Sequence, residues 1–450
     1  MSGARGHHAR VRLAGMAALS TFLALATPAH AQSAQPEVNL TQSPMQKVGS
    51  NLTDHGITLS SNYIGEFAAN PAGGARQGAE FTGEFNLGAD FDLDKIVGLP
   101  GGTIHVLFTA RSGNDLAAKS INNSISVQQK YGDGQTYQLT IFSYEQKLFN
   151  DMLDFKVGRL DISEDFTGSP FYCYFQSFAV CSNPNLIEQD VFIGSSFYPL
   201  AVWGANARFN PVPDFYIKAG IYQNAPELNP HEGHGFDWST SDSDGFQLPV
   251  EVGYAHTPLG AMTPDQYDVG IVIDRTHYLA PFYSATSPLR YGRSAVYIQA
   301  QKLLYQAAPA SPRGLYGFGL AGFGISGREQ TSNYSLEAGL LYQGPWPSRP
   351  LDTLGLVISD LHYNDNYINY LYAARVANGG IEHPRRNLIM MELNYAVQVT
   401  PWLIMMPNFQ YIVNPDGLGA LPYPNENEKN AVVLGLQFQI DAARLVGLSD

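Results

Sequence analysis

The strongest constraint on the fold is an alternation of apolar and polar residues that recurs along most of the chain. Within 79–91, Phe81, Phe85 and Leu87 share one face, and polar residues occupy most positions between them. The same pattern returns at 332–344. Because successive side chains of a β-strand point to opposite faces, each such segment predicts a strand with one apolar and one polar face.

Sixteen segments of this kind follow one another. Each is about 9 to 13 residues long, which suits a tilted membrane crossing better than a soluble sheet. The long connections follow odd-numbered segments, and several short ones follow even-numbered segments, as in bacterial outer-membrane barrels. The segments lie at about 57–69, 79–91, 103–111, 136–148, 152–160, 200–209, 214–223, 249–257, 265–275, 291–305, 314–326, 332–344, 353–363, 385–397, 402–413 and 430–440.

The alternation also predicts how the strands assemble. In a bilayer every backbone amide needs a partner within the protein, so strands that face lipid must close into a barrel. The predicted fold class is therefore all-β: a transmembrane, antiparallel outer-membrane β-barrel of about 16 strands. Its apolar face looks outward, and its polar face lines an aqueous lumen that needs no hydrophobic filling. After residue 31, no stretch reaches the roughly 18 consecutive apolar residues of a membrane-spanning helix.

The N-terminus has the pattern of a secretory signal peptide: three arginines, an apolar stretch and a small-x-small cleavage site at Ala29-His30-Ala31. Residues 1–31 are therefore predicted to be cleaved. Residues 32–56 are predicted to form a short, polar, poorly ordered periplasmic segment, and 57–440 the barrel. Residues 441–450 are either a C-terminal extension or the end of the last strand, because the alternation fades near Ile440.

Charge and cysteine content narrow the function classes. The formal net charge is −14, which argues against a nucleic-acid partner. Cys173 and Cys181 are the two cysteines of the chain. In an oxidising compartment they are expected to pair as a disulfide, and a metal site is disfavoured because no ligand cluster accompanies them.

The connection after the fifth strand, 161–199, is the longest. It carries Phe171, Tyr172 and Tyr174 around the two cysteines. A wide lumen must be narrowed to become selective, so we expect this segment to fold inward as a constriction loop. A disulfide within the loop would restrict its freedom.

Several stretches resemble one known family. The string Lys156–Asp161, the Cys-containing loop that follows it, 219–223 and 410–415 are similar, in this order, to the carbohydrate-selective porins of the OprB family. The resemblance spans about residues 50–440. It implies a sixteen-stranded outer-membrane porin that passes glucose and similar sugars by passive or facilitated diffusion. It further implies contact with outer-membrane lipid and the barrel-assembly machinery, and leaves monomer and homotrimer open.

A neutral sugar offers hydroxyl groups and apolar ring faces, so charged side chains and aromatic rings are the expected contacts. The alternation places several charged residues inward, and the resemblance places Arg159 and Asp161 at the entry to the constriction loop. For each residue the alternative is that it pairs with a neighbour in a wet lumen. The candidates are Arg111, Arg159, Asp161, Glu84, Glu66, Glu80, Lys218, Phe171, Tyr172 and Tyr174.

Enzymatic patterns are weak. Gly317-x-Gly319-x-x-Gly322 matches a dinucleotide fingerprint but lies in a strand pattern with no following helix. His231-Glu232-Gly233-His234 has metal-ligand residue types without the spacing of a helical zinc site. No enzyme activity, metal or cofactor is therefore predicted. The alternative functions are a porin for other small solutes or ions and, less favoured, a soluble secreted β-protein that binds glycans.

Overall fold

The computed structural model describes residues 44–131, 134–181, 185–187, 198–225, 233–241, 243–279, 289–326, 330–419 and 423–449. The predicted signal peptide lies outside these residues. Within them, no helix is long and apolar enough to span a membrane.

Sixteen strands close into one antiparallel barrel, which confirms the predicted strand number. Their ends differ from the sequence-based bounds by a few residues. Two further short strands, β10 (His277–Leu279) and β11 (Leu289–Tyr291), pair with each other in a separate two-stranded sheet that is not part of the barrel. The barrel strands are β1 (Ile57–Ala72), β2 (Gly78–Asp92), β3 (Gly102–Gly113), β4 (Thr136–Leu148), β5 (Leu153–Leu160), β6 (Val202–Val212), β7 (Phe215–Asn224), β8 (Gly245–His256), β9 (Asp265–Asp274), β12 (Ala295–Gln306), β13 (Gly314–Gly324), β14 (Ser332–Gln343), β15 (Thr353–Tyr363), β16 (Asn387–Thr400), β17 (Leu403–Val413) and β18 (Ala431–Asp441).

Closure depends on the pairing between the first and last strands. β1 forms one ladder with β2 and a second with β18, in which Tyr63 lies opposite Ile440. Each remaining barrel strand pairs with a neighbour on both sides. The backbone groups of the wall are therefore paired around the ring, as a bilayer requires.

The two faces of the wall follow the alternation. Phe81 and Leu87 are 40% and 49% exposed on the outside, and Leu356 on β15 is 51% exposed. On the inner face of the same strands, Glu84 is fully buried and Val357 is 2% exposed. The outer face is thus a continuous apolar band, whereas the inner face carries both polar and apolar side chains.

The two ends of the barrel differ. Long loops join β3 to β4, β5 to β6, β7 to β8 and β15 to β16, and short turns occupy the other end. Of the α-helices in the described ranges, three lie at the short-turn end: α1 (Pro44–Asp54), α2 (Leu93–Val97) and α5 (Ala442–Val446). Two others in these ranges lie in long loops: α3 (Ile162–Asp165) and α4 (Asp365–Ala377).

The N-terminal segment departs from expectation, whereas the C-terminal segment follows one of the two alternatives, an extension after the last strand. The segment before the first strand was expected to be poorly ordered, but residues 44–54 form α1. The last strand does not run on to residue 448. It ends at Asp441, whose carboxylate accepts a hydrogen bond from Arg444 N at 2.9 Å and so caps α5, and Gly447 ends that helix with φ of 77°.

The barrel interior contains a hydrophobic core, contrary to the expectation that the lumen needs none. Two long loops supply most of its loop residues, α4 adds Ile368, and inward positions of the wall complete it. Apolar burial therefore fills part of the space that the sixteen-strand ring encloses. The loop members include Ile121, Ile125, Val127, Phe166, Phe171, Tyr172, Phe175, Val180, Leu186 and Ile187, and the wall members include Tyr222, Tyr297, Tyr316, Phe318, Leu320, Leu341 and Val357.

Candidate functional site

Glu84 on β2 and Arg111 on β3 form a buried ion pair on the inner face of the wall. The strand register sets them opposite each other, and Arg111 Nε donates to Glu84 Oε2 at 2.6 Å. Their side chains are 0% and 2% exposed. Lys130 Nζ lies 3.5 Å from Glu84 Oε1, and Asn86 Nδ2 donates to the same oxygen at 2.9 Å. The carboxylate thus has the additional partners that a buried ion pair needs.

Tyr198 joins this cluster from the chain segment that re-enters the wall before β6. Its hydroxyl donates to Asn86 Oδ1 at 2.9 Å and lies 3.2 Å from Glu84 Oε1. The Arg111 guanidinium and the Lys130 ammonium lie 5.2 Å and 5.8 Å from its ring centre, which is within cation–π range. The ring is half-buried. Sequence reasoning missed Tyr198 because no motif marks it.

Lys130 reaches the cluster on a second inward loop, residues 114–131, which sequence reasoning also missed. Lys130 N donates to Glu66 Oε2 at 3.0 Å, and Gln437 Nε2 donates to Glu66 Oε1 at 2.9 Å. This loop bonds to the other inward loop through Phe178 N and Ser126 O at 3.1 Å. The apolar residues of this loop that are buried in the structure, such as Ile125, are the sequence feature that could have predicted its inward position.

Lys218 and Glu251 form a second charged cluster on β7 and β8. Lys218 Nζ lies 2.7 Å from Glu251 Oε1 and donates to Asp165 O, also at 2.7 Å. The hydroxyls of Tyr216 and Tyr297 donate to the two Glu251 oxygens at 3.0 Å and 2.6 Å. This cluster therefore connects the wall to α3 of the loop after β5.

Two of the three remaining charged candidates, Glu80 and Asp161, have local partners. Glu80 is half-buried on β2, and Lys119 of the second loop lies 3.4 Å from it. Asp161 is fully buried, and its Oδ1 accepts hydrogen bonds from Ser163 N at 2.9 Å and Ser163 Oγ at 2.8 Å. Asp161 thus caps α3 where the chain leaves the wall.

Arg159 does not share the face of the other charged candidates. It lies opposite Phe142 on β4 and Trp203 on β6, and these positions share the outward face of the wall. The ring of Trp238, from the loop after β7, lies 5.3 Å from Phe142 and 6.2 Å from Trp203. Arg159 is only 3% exposed. Arg159 follows the inward-facing Lys156 by three positions on β5, and residues an odd number of positions apart on a strand point to opposite faces. The register therefore corrects the expectation that the Arg159 side chain faces the lumen.

The three aromatic candidates lie in the loop after β5 and pack against the wall. Phe171 is fully buried, with its ring 5.3 Å from Tyr316 and 5.7 Å from Phe318. Tyr172 is 4% exposed and donates to Gln299 Oε1 at 2.9 Å. Tyr174 is half-buried. Sugar contact by these rings stays a prediction, and Phe171 presents no open ring face in this conformation.

The disulfide predicted between Cys173 and Cys181 is present in the same loop. Among the described residues, no group of three potential metal-ligating side chains is found. His231 and Glu232 lie outside those residues, and His234 is engaged by the wall: its ring stacks on Tyr137 and its Nδ1 is 2.9 Å from Tyr137 O. Gly317 and Gly319 lie within strand β13.

Glu164 on α3 is a charged side chain with solvent exposure. Desolvation by the surrounding protein, together with the neighbouring Asp165 carboxylate, raises the pKa of Glu164 above its usual value, although Lys156 and Lys130 act in the opposite direction. Sequence reasoning missed this residue, since α3 is too short to show a periodic pattern.

Below the loops, towards the short-turn end, inward side chains are more open. His105 on β3 lies between two carboxylates, with Nδ1 2.7 Å from Asp90 and Nε2 2.8 Å from Glu145. The Asp90 side chain is 57% exposed and that of Lys147 is 48% exposed. The lumen is therefore packed in its loop-filled part and wet and charged below it.

Comparison with known proteins agrees with this architecture. The model of the carbohydrate-selective porin, OprB family, matches residues 76–441. Porin B of Pseudomonas aeruginosa is 29% identical over 415 residues, which cover 86% of this chain and 88% of that protein. The putative porin QuiX of Acinetobacter baylyi is 28% identical over 393 residues, or 82% and 86% of the two chains. The high-pH structure of Pseudomonas putida OprB is similar with a TM-score of 0.78 and 27% identity, and the match covers 87% of this chain and 95% of that one.

The geometry of the wall carboxylates predicts opposite effects of two matched substitutions. Glu337 on β14 is 8% exposed and has no hydrogen bond or ion pair within the described part of the chain, so a negative charge on it would be uncompensated. Glu337→Gln should raise the free energy of unfolding by about 1 kcal/mol. Glu251→Gln should lower it by about 2 kcal/mol, because Lys218 loses its buried partner.

Urea midpoints of the refolded protein in detergent micelles, followed by tryptophan fluorescence, measure both changes. Glu251→Gln serves as the control that the assay detects a lost buried contact. Equal destabilisation by the two substitutions would contradict the assignment of Glu337 as an unpaired group.

Proposed function

Since the chain belongs to the carbohydrate-selective porins of the OprB family, an outer-membrane channel for sugars, we propose that it passes glucose-sized neutral sugars by passive or facilitated diffusion. The observation that carries this proposal is a charged cluster on the inner face of the wall. In it, Glu84 and Arg111 of the wall meet Lys130 and Tyr198 of the two inward loops. Charged donors and acceptors next to an aromatic ring match a sugar's hydroxyl groups and apolar face.

In this proposal the loop after β5 is the constriction. The contact between Tyr172 and Gln299 on β12 supports an inward position, as does the packing of Phe171 on Phe318 of β13. The second loop narrows the lumen from the side of β1 to β3, where Lys130 meets Glu66 and Glu84. A sixteen-stranded barrel would otherwise leave a wide aqueous pore.

The candidate residues take different parts in passage. Arg111 and Glu84 are buried and paired, so they hold the cluster together. Side chains that keep some exposure, namely Lys130, Tyr198 and Glu164, are the ones a sugar can reach. Glu66, Glu80, Asp161 and Lys218 keep the loops and charges in place. Each hydrogen bond given to a sugar replaces one given to water, so binding is weak and passage fast.

No covalent step is part of this function, and we propose that the chain has no enzymatic activity and needs no cofactor. The exposed outer band is proposed to contact outer-membrane lipid, and insertion is proposed to use the barrel-assembly machinery. Cross-linking of the protein in its native membrane distinguishes a monomer from a homotrimer.

Liposome swelling with a series of mono-, di- and trisaccharides tests the proposed function. Wild-type protein should admit monosaccharides fastest. Arg111→Ala should change the relative rates several-fold, because it leaves Glu84 buried with fewer partners. Arg159→Gln should leave the rates unchanged, because that residue lies outside the lumen.

Single-channel recordings complete this test. Glucose added to the wild-type channel should reduce the ion current. An ion current that glucose does not change, together with swelling rates that ignore sugar size, would favour a channel for ions or other small solutes. Relative swelling rates that change in Arg159→Gln as much as in Arg111→Ala would contradict the outward position of Arg159.

Ion selectivity should depend on pH through Glu164. Its pKa is raised, so as pH falls it loses its negative charge earlier than an ordinary exposed glutamate does, and the preference for cations should decline. Reversal potentials in a KCl gradient between pH 8 and pH 4 measure this preference. Glu164→Gln should remove that part of the decline.

Glu426→Gln is the matched control, since it removes the same charge from an exposed position in the loop between β17 and β18. The same pH profile in wild type and Glu164→Gln would show that Glu164 does not face the ion path.

A further inference from the structure

The loop after β5 crosses the lumen from one side of the barrel to the other. It leaves the wall at Leu160, the end of β5, and returns at Val202, the start of β6. Around the ring, β16 lies seven strands from β5 in one direction and nine in the other. A contact with β16 is therefore a contact with the far wall.

Glu392 on β16 makes that contact through backbone groups. Its Oε1 accepts a hydrogen bond from Gln176 N at 2.9 Å, and its Oε2 accepts one from Ser177 N at 2.7 Å. Glu392 is 1% exposed, and the three groups are buried together. Two successive backbone N–H groups therefore point at one carboxylate, an arrangement in which the ionised acceptor makes strong hydrogen bonds.

A neighbouring asparagine completes the attachment. Asn394 Nδ2 lies 2.9 Å from Glu392 Oε1 and also donates to Tyr174 O at 2.8 Å. Within the described residues, no ion pair joins Glu392 to a cation. Its partners are thus this asparagine and the backbone of residues 174–177, which lie between the two cysteines of the disulfide.

We propose that Glu392 is a positioning residue for permeation: it latches the far end of the inward loop to the opposite wall and so sets the open cross-section of the channel. This inference rests on the proposed function, since it assumes that the loop constricts the lumen. Glu392 itself does not touch the passing sugar. It acts through the backbone of Gln176 and Ser177.

The other contacts of the loop are spread along its path, and at the far end Gln176 O also accepts a hydrogen bond from Gln129 N of the second loop at 2.9 Å. Tyr172 bonds to Gln299 on β12, and Phe171 packs on Phe318 of β13, which lie on the side of the ring between β6 and β16. Near the far end, Asn408 Nδ2 donates to Gln176 Oε1 at 2.7 Å. That is a neutral hydrogen bond, weaker than one to a carboxylate.

Planar-bilayer recordings and liposome swelling with the full-length protein test the latch. Glu392→Ala removes both acceptors and should increase single-channel conductance about twofold, because a sixteen-stranded lumen is wide when nothing crosses it. The ratio of disaccharide to monosaccharide swelling rates should rise with it. Glu392→Gln keeps one acceptor oxygen and should lie between wild type and Glu392→Ala.

Glu337→Gln is the matched control. It alters a carboxyl group on the same inner face that makes no hydrogen bond to the described part of the loop backbone, so conductance should match wild type. Heat-modifiable electrophoretic mobility reports whether each barrel is folded. If Glu392→Ala does not fold, the isosteric Glu392→Gln carries the test by itself.

The outcomes separate this inference from the proposed function. Folded Glu392 variants with wild-type conductance and wild-type size selectivity would overturn the latch, even where glucose still reduces the current. A variant that loses stability but keeps both channel properties would assign Glu392 a structural role only. Wild-type channels that ignore sugar would instead count against the proposed function.

Discussion

A strand that faces lipid cannot leave its backbone N–H and C=O groups unpaired, and this requirement governs the whole molecule. Here the ladder between β1 and β18 satisfies it by joining the ends of the sheet. Closure separates an apolar outer face from an inner face that can be reached only through the two ends of the barrel. Solutes that pass through the barrel meet only the inward loops and the inward side chains of the wall. Any selectivity therefore has to come from these groups.

A ring of sixteen strands encloses more space than its own side chains fill. In this protein two loops occupy part of that space, and inward carboxylates hold their backbones. Glu66 accepts the Lys130 amide, and Glu392 accepts those of Gln176 and Ser177. Some acidic residues that resemble channel charges in the sequence therefore serve as acceptors for buried backbone donors, which would be costly to leave unpaired.

The strand number, the outward face and the disulfide could be predicted from the sequence because each depends on local information: a period of two, or two cysteines in one loop. Glu84 and Arg111 were correctly placed inward for the same reason. Arg159 was placed by resemblance alone, and the register with Phe142 and Trp203 sets it on the other face. Lys130, Tyr198 and Glu164 could not be found, because no periodic pattern marks residues in loops or in a helix as short as α3.

The sequence by itself determined the class of structure. Strands whose side chains alternate between apolar and polar permit one arrangement in a bilayer, a closed barrel, because only closure pairs every strand on both sides. The tertiary structure alone decided which loops enter the barrel, which charged side chains pair there, and which remain open to water. Those contacts join residues far apart in the chain, as Gln176 to Glu392 shows, and their formation depends on the geometry of the closed ring rather than on any local pattern.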